Sequence, residues 1–239
     1  MYMKYNQNEL HAVILAGGKG TRLAPYTMTL PKPLVPVGEK PILEIILKQL
    51  STHNVKSIVI AVNHMAQLIE AFFGNGERYG VKIKYSLEDK PLSTVAPIKL
   101  IDNLPENFFV MNGDILTDID YSDLFEKHML SDALLTVATY KRISHIDYGV
   151  IEIDHETQNI KGFHEKPDKE FDVSMGIYVF NKKVLDEVPY NEPYGFDDLV
   201  YRLLDLKIEI NTYEHNGYWL DIGRPEDYAK ANVDVDNIA

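Results

Sequence analysis

The stretch from Val13 to Leu23 reads VILAGGKGTRL. It starts within an apolar run of strand length, His11 to Ala16, which ends in three glycines with a lysine among them. Because glycine has no Cβ, such a chain can turn with positive φ and bring successive backbone N–H groups against a polyphosphate. The stretch therefore predicts a phosphate-binding loop at the end of a strand.

The charged side chains of the loop support this interpretation. Lys19 and Arg22 add positive charge, and the Arg22 guanidinium can hold two phosphate oxygens in a bidentate fork. The sequence fits neither the dinucleotide pattern G-x-G-x-x-G nor the Walker pattern, and a tight turn with solvated charges is the alternative. The candidate nucleotide-binding residues here are Leu15, Ala16, Gly17, Gly18, Lys19, Gly20, Thr21 and Arg22.

A proline-rich segment, PKPLVPVGEKP, follows from Pro31 to Pro41. Its four prolines stiffen the chain and cost little ordering entropy on binding. The segment can therefore hold its interior lysine, Lys32, at a fixed distance from the glycine loop.

The motif LAGG-x-GTRL followed by PKP-L-x-P-V resembles the signature of the sugar-1-phosphate nucleotidyltransferases, and later motifs follow in that family's order over nearly the whole chain. The resemblance implies that a nucleoside triphosphate and a sugar 1-phosphate give an NDP-sugar and pyrophosphate, with Mg²⁺ as cofactor and Arg22, Lys32 and Asp114 as catalytic residues. The motifs look most like guanylyltransferases that use mannose or heptose 1-phosphate for surface polysaccharide. Thymidylyl-, uridylyl- and cytidylyltransferases stay open.

The composition limits the kinds of protein that this chain can be. The 239 residues are 45% hydrophobic and 25% charged, as in soluble globular proteins, and cysteine is absent, which excludes disulfides and thiolate metal sites. The net charge of −12 and the lack of basic clusters argue against a nucleic-acid partner. The polar N-terminus and the absence of long apolar runs predict a cytoplasmic protein with no membrane contact. The oligomeric state stays open, a homodimer included.

Strand-like and helix-like segments alternate in the first half and predict a Rossmann-like α/β/α fold with a mixed, mainly parallel sheet. Ligands should bind beyond the C-terminal ends of the strands. The predicted strands are His11–Ala16, Ser57–Val62, Val81–Tyr85, Phe108–Asp114, Leu134–Tyr140, Val150–Ile153, Val173–Phe180 and Ile208–Thr212. The predicted helices are Ile42–His53, Met65–Phe73, Asp123–Met129, Phe196–Leu206 and Pro225–Val233.

We expect one domain over residues 1–239, with an N-terminal extension (1–10), a nucleotide-binding half (about 11–130) and a sugar-phosphate half (about 131–239). Hexapeptide repeats are absent, so we expect no acyltransferase activity, and we expect no regulatory CBS pair. A sugar-nucleotide-sensing subunit without catalysis is an alternative from another class.

The segment Ser93 to Pro97 departs from the family, which usually has Gly-Thr-Ala-Gly-Ala/Pro after Pro-Leu. In relatives this turn lies against the base, so Ser93 and Thr94 are candidate nucleotide-binding residues. The alternative is that either residue caps the following helix.

Two carboxylates are the candidate metal ligands. The apolar run FFVMNGD ends in Asn112, Gly113 and Asp114, which places a carboxylate at the sheet edge where Mg²⁺ needs one or two. Asn112 and Gly113 are further nucleotide-binding candidates. By resemblance to the family's W-x-D-x-G motif, Asp221 supplies the second carboxylate.

A nearby D-x-D sequence, Asp118-Ile119-Asp120, matches the metal motif of glycosyltransferases. Acidic residues are also favoured before a helix, and we assign both aspartates to capping. A glycosyltransferase that uses them is the third functional hypothesis. The histidines show no metal-ligand spacing and are expected to be structural.

Two motifs, Tyr-Gly-Val at 148–150 and Glu-Lys-Pro at 165–167, match the family residue for residue. The resemblance implies that Gly149, Glu165 and Lys166 contact the sugar phosphate. From the residues alone, a solvated ion pair beside a turn is the alternative.

Overall fold

The computed structural model describes residues 10–234, so the predicted N-terminal extension lies outside the described residues except for Leu10. The β-strands are β1 (Leu10–Leu15), β2 (Pro36–Val37), β3 (Lys40–Pro41), β4 (Val55–Val62), β5 (Lys82–Leu87), β6 (Asn107–Asn112), β7 (Ile115–Thr117), β8 (Leu135–His145), β9 (Val150–Ile153), β10 (Ile160–His164), β11 (Asp168–Asn181), β12 (Asn211–His215) and β13 (Trp219–Asp221). The α-helices are α1 (Ile42–Thr52), α2 (Ala66–Phe73), α3 (Ala96–Lys99), α4 (Tyr121–Leu130), α5 (Phe196–Asp205) and α6 (Pro225–Asp234).

Seven strands form the central sheet, in the order β12-β8-β11-β6-β1-β4-β5. All of its pairings are parallel except those of β11, which runs antiparallel to both β6 and β8. The chain passes from β1 to β4 and β5 on one side, and then returns to place β6 on the other side of β1. This reversal creates a switch point between β1 and β6, where open α/β sheets bind ligands. The predicted mixed, mainly parallel Rossmann-like fold is confirmed.

The core lies in two layers, one on each face of this sheet. One layer is centred on α1, whose apolar residues Ile42, Leu43, Ile46, Leu47 and Leu50 are all fully buried. The other layer contains Leu199 and Leu203 of α5 with Phe108 and Phe180 of the sheet. Alternate residues of β1 enter the two layers, since Ile14 belongs to the first and Val13 to the second. Strands buried on both faces have continuous apolar runs, and such runs predict β1 and β6 from the sequence.

The elements predicted in the first half are present within two residues at each end. In the second half three strands differ from expectation. The predicted strand Ile208–Thr212 is β12 at Asn211–His215, because the N–H of Ile208 donates to the carbonyl of Leu203 and so closes the end of α5. Strands β8 and β11 are longer than predicted because they continue pairing with each other after their apolar residues end.

Strands β9 and β10 form a separate two-stranded hairpin between β8 and β11. Nearly all residues from 141 to 172 are exposed. This segment therefore projects from the body of the sheet and is held mainly by strand pairing.

Candidate active site

A cleft of about 580 Å³ opens at the C-terminal ends of β1, β4, β5 and β6. It lies at the switch point that the topology predicts as a ligand site. Of the predicted nucleotide and catalytic residues, it is lined by Leu15, Ala16, Gly17, Gly18, Lys19, Gly20, Thr21, Arg22, Lys32, Ser93, Thr94, Asn112, Gly113 and Asp114. Residues from four separate stretches of sequence thus meet in one cavity.

The glycine loop packs tightly against the segment that carries Lys32. Gly20 has a φ of 63°, in the left-handed region, and a Cβ there would lie 2.9 Å from Thr27 Cγ2 and 3.3 Å from Lys32 Cβ. The Thr27 hydroxyl also donates to the Gly20 carbonyl over 2.7 Å. A side chain at position 20 would therefore strain the backbone, displace Thr27 and crowd Lys32.

Lys32 forms an ion pair with Asp114, with its Nζ donating to Oδ2. Asp221 reaches the same place through β13, which pairs with β7 so that Asp221 lies opposite Ile115. The N–H of Ile222 then donates to the Asp114 carbonyl over 3.0 Å. The two carboxylates, 107 positions apart in the sequence, are thereby fixed side by side.

The two carboxylates, Asp114 and Asp221, each have one oxygen without a hydrogen-bond partner. Asp114 Oδ1 and Asp221 Oδ1 are both buried and have no hydrogen-bond partner. Burial raises the pKa of Asp221, and the neighbouring charge of Asp114 raises it further, while Lys32 and Arg22 oppose the shift. Unpaired buried carboxylate oxygens cost free energy unless a cation or a donor meets them.

These two oxygens fit a hard dication. Mg²⁺ is commonly held by one or two carboxylates together with substrate phosphates and water. No cluster of three or more potential protein ligands occurs among residues 10–234, so the protein by itself supplies only part of a coordination sphere. The donor set suits a metal that arrives with, or is completed by, a phosphate ligand.

The turn after β5 lines the cleft through Ser93 and Thr94, and neither residue caps the helix that follows. Ser93 has a φ of 67°, a left-handed conformation that favours glycine. Thr94 Oγ1 accepts from the N–H of Phe196 over 3.0 Å, so it caps α5 and not the helix that follows it in the chain. The N-cap of α3 is Val95, without a side-chain hydrogen bond, so the alternative interpretation, in which Ser93 or Thr94 caps the following helix, was wrong.

The D-x-D motif does not belong to the cleft. Asp120 is the N-cap of α4 and accepts from the N–H groups of Ser122 and Asp123, as predicted. Asp118 does not cap the helix. Its Oδ1 accepts from the N–H of Tyr218 over 2.6 Å and lies 2.9 Å from His215 Nε2, so it anchors the loop that leads to β13.

The predicted sugar-phosphate residues lie on or beside the exposed hairpin. Gly149 and Glu165 are neighbours, since a Cβ on Gly149 would lie 3.3 Å from Glu165 Oε2. Lys166 follows with a φ of 46°. None of the three is among the residues that line the cleft, so their role stays a prediction from resemblance.

Two polar residues of the cleft, Asn63 and Glu88, were not predicted from the sequence. Asn63 follows β4 and Glu88 follows β5, so both stand at C-terminal strand ends. Glu88 Oε2 accepts from the N–H of Leu92 over 3.2 Å, while Oε1 lies 3.0 Å from the position that a Cβ on Gly17 would occupy. Burial raises the pKa of this carboxyl. Polar residues directly after buried parallel strands are the signal that could have identified them.

A mainly parallel sheet with a glycine-rich loop and a carboxylate at its switch point is typical of nucleotide-binding α/β proteins. Residues 11–238 match the model of the nucleotidyl transferase family, and the chain belongs to that family.

Individual relatives agree with this assignment. The chain is 36% identical over 92% of its length to a mannose-1-phosphate guanyltransferase of Yarrowia lipolytica and 34% identical over 93% to a UTP–glucose-1-phosphate uridylyltransferase of Synechocystis. It spans 62% of the length of each. A crystal structure of HddC from Yersinia pseudotuberculosis is similar, with a TM-score of 0.74 at 28% identity over 95% of this chain and 99% of that one. HddC has also been crystallised in a complex with GMP-PN.

Proposed function

We propose that this protein transfers a guanylyl group from GTP to a manno-configured sugar 1-phosphate, with release of pyrophosphate. The observation that carries the proposal is that Lys32 and Asp114 line one cleft with the glycine loop, while Asp221 lies beside Asp114. The names of the relatives support the reaction class.

The reaction needs positioning and neutralisation of charge more than proton transfer. A phosphate monoester with a second pKa near 6 is mostly dianionic at pH 7, so an oxygen of the sugar phosphate can attack the α-phosphorus without a general base. Pyrophosphate leaves from the opposite side in an in-line displacement. In this proposal the loop N–H groups with Arg22 bind the triphosphate, and Lys32 stabilises the charge that develops at the α-phosphorus.

Asp114 and Asp221 are the residues that would hold Mg²⁺. When bound, the ion would neutralise phosphate charge and orient the phosphate oxygens. Lys32 has the further task of balancing Asp114 whenever the ion is absent, since it is already paired with that carboxylate.

The choice of guanine rests on Glu88. A carboxylate has only acceptor oxygens, and guanine is the one common base whose Watson–Crick edge presents two adjacent donors, N1–H and N2–H₂. Uracil and thymine place a single N–H between two carbonyl oxygens, which a carboxylate would repel. We infer that Glu88 Oε1, which lies near the glycine loop, accepts from guanine.

The test is a panel of four nucleoside triphosphates against mannose, heptose and glucose 1-phosphates, read as pyrophosphate release. The proposal expects the highest kcat/KM with GTP and a manno-configured sugar. Glu88→Gln should lower kcat/KM for GTP about tenfold or more, because a hydrogen bond to a charged acceptor is worth about 1.5–3 kcal/mol. Preference for UTP with glucose 1-phosphate would favour the activity named for the Synechocystis relative. No pyrophosphate with any pair would favour a sensing subunit.

A further inference from the structure

The two-stranded ribbon of β7 and β13 carries Asp221 at one end and stops at Asp118 and Tyr218 at the other. Asp221 lies opposite Ile115 in this ribbon, which makes Asp118 and Tyr218 the next pair beyond the strands. Asp118 belongs to the D-x-D motif, yet it neither lines the cleft nor caps α4. The function proposed above therefore gives this side chain no role.

Asp118 and its neighbour Thr117 hold both hydrogen-bonding groups of the Tyr218 backbone. The N–H of Tyr218 donates to Asp118 Oδ1 over 2.6 Å, and its carbonyl accepts from the N–H of Asp118 over 3.2 Å and from Thr117 Oγ1 over 2.8 Å. His215 Nε2, at the end of β12, lies 2.9 Å from the same Oδ1. These contacts fix the residue at which the chain enters β13.

The loop before β13 closes tightly over this carboxylate. A Cβ on Gly217 would overlap Asp118 Oδ1 and would lie 2.8 Å from His215 Cε1, closer than real Cβ atoms approach other atoms. Glycine is therefore the residue that allows the loop to approach Asp118. Hydrogen bonds to a charged acceptor are roughly twice as strong as those between neutral groups, so the carboxylate is an effective anchor.

The register of the ribbon decides where Asp221 lies. A slip of one residue would turn every side chain of β13 to the opposite face. Asp221 would then leave Asp114, and the N–H of Ile222 would lose the Asp114 carbonyl, to which it donates over 3.0 Å. Bringing the two carboxylates together is itself unfavourable without a cation, because each has a buried oxygen that lacks a hydrogen-bond partner. Contacts at the far end of the ribbon can offset that cost.

We propose that Asp118 is a positioning residue, which holds β13 in the register that places the Asp221 carboxylate beside Asp114. Asp118 acts through the backbone of Tyr218 and lies outside the cleft. The consequence for Mg²⁺ rests on the proposed function, whereas the effect on the register of β13 does not.

Hydrogen exchange of the Ile222 amide, measured by NMR on the full chain without metal, reports this register. The amides of β1, at the centre of the sheet, provide the reference for global unfolding. Relative to them, the Ile222 amide should exchange about tenfold faster or more in Asp118→Ala, because one hydrogen bond to a charged acceptor is lost. Asp118→Asn keeps an acceptor oxygen and should stay within about threefold of the wild type.

Asp120→Ala is the matched control, since it removes the other aspartate of the same motif. Asp120 caps α4, so its loss should lower the melting temperature and leave the relative exchange of Ile222 unchanged. Exchange at Ile222 that rises equally in both alanine variants, or in neither, overturns the proposal.

Calorimetric titration with Mg²⁺ alone tests the consequence for the two carboxylates. The apparent Kd should rise severalfold in Asp118→Ala and stay unchanged in Asp120→Ala, because only molecules in the observed register bind the ion fully. Saturating Mg²⁺ should also slow the Ile222 exchange of Asp118→Ala towards that of the wild type. An unchanged Kd beside faster exchange would mean that Asp118 does not position Asp221, and would overturn the proposal. A wild type that binds no Mg²⁺ would count against the metal assignment of the proposed function, and the exchange rates would then decide on Asp118.

Discussion

Lys32 Nζ donates to Asp114 Oδ2 across a separation of 82 residues. The pair joins the rigid proline-rich segment to the end of β6. Both side chains are largely buried, at 14% and 18% exposure, so neither charge is well solvated. Without a ligand each charge offsets the other, and in the proposed function the same Lys32 ammonium group stabilises the phosphate charge.

Replacing Lys32 with Ala should lower kcat by about 10²-fold or more, since one preorganised electrostatic contact is typically worth that much. The KM for the sugar 1-phosphate should change less, because the contact is expected to strengthen in the transition state. Steady-state kinetics measure both values. Lys48→Ala, which removes a more exposed lysine paired with Glu44 on α1, is the control and should retain activity. A variant impaired only in the sugar KM would place Lys32 elsewhere in the reaction.

Removing Asp221 should have opposite effects on stability and activity. Burial and Asp114 raise the pKa of Asp221, so the folded state binds that proton more tightly than the unfolded state does, and metal-free stability should rise as the pH falls from neutral through that pKa. Asp221→Asn should therefore raise the melting temperature at pH 7 in EDTA and abolish most turnover. Mg²⁺ should stabilise the wild type but not the variant.

Asp114→Asn provides the comparison, because it leaves Lys32 without its partner. It should lower the melting temperature in EDTA while also abolishing turnover. EDTA should inactivate the wild-type enzyme. Full activity in EDTA, or an equal Mg²⁺ shift in the wild type and both variants, would remove the two aspartates from the metal site.

His128 should make the protein sensitive to acid. It is buried between Thr136 Oγ1, at 2.8 Å, and Asn107 Oδ1, at 3.2 Å, and burial lowers its pKa to about 4. Its stabilising contribution is complete above the unfolded pKa of about 6.5 and is lost as the pH falls towards the folded value. Between pH 7.5 and 5 this residue should cost about 2 kcal/mol of unfolding free energy.

Urea unfolding at several pH values measures this loss. The difference between wild type and His128→Gln isolates the histidine from the carboxylates, which titrate in both proteins. His155→Gln, at an exposed position, is the control and should leave the pH dependence of the unfolding free energy unchanged. If His128→Gln loses as much stability between pH 7.5 and 5 as the wild type, the histidine is not the cause.

The sequence predicted those parts of the fold and site that local chemistry determines. Continuous apolar runs identified β1 and β6, and glycines next to a lysine and an arginine identified the loop at the end of β1. Strands β7 and β13 were not predicted, because each has only three residues, and their pairing is what brings Asp221 to Asp114. Asp221 was therefore predicted as a candidate metal ligand from the resemblance to the family motif and not from the periodicity of the sequence.

The conformation of Ser93 could not be predicted either, since nothing in the amino-acid sequence specifies a positive φ for this serine. The family's glycine at this position has a physical explanation in the left-handed backbone. Ala96 stands at the family's second glycine but is fully buried and does not line the cleft, so the two departures from the family pattern have different meanings.

Replacing Ser93 with glycine should therefore stabilise the protein, because a left-handed residue with a Cβ carries a strain of about 1 kcal/mol that glycine relieves. If the Ser93 side chain limits the base pocket, the same change should also alter the ratio of kcat/KM between GTP and UTP by severalfold. Differential scanning calorimetry and the two rate constants are measured on one variant.

Ala96→Gly is the matched control at the other departure from the family. It lies at the first position of α3 and packs with Val95 in the core, so glycine there should lower the unfolding free energy by about 1 kcal/mol and leave the GTP/UTP ratio unchanged. Opposite shifts in melting temperature for the two variants, together with a changed ratio for Ser93→Gly alone, would assign base selectivity to Ser93. If the GTP/UTP ratio changes in neither variant, Ser93 is a strained turn residue without a part in base recognition. If the GTP/UTP ratio changes only in Ala96→Gly, α3 positions the base and the turn does not.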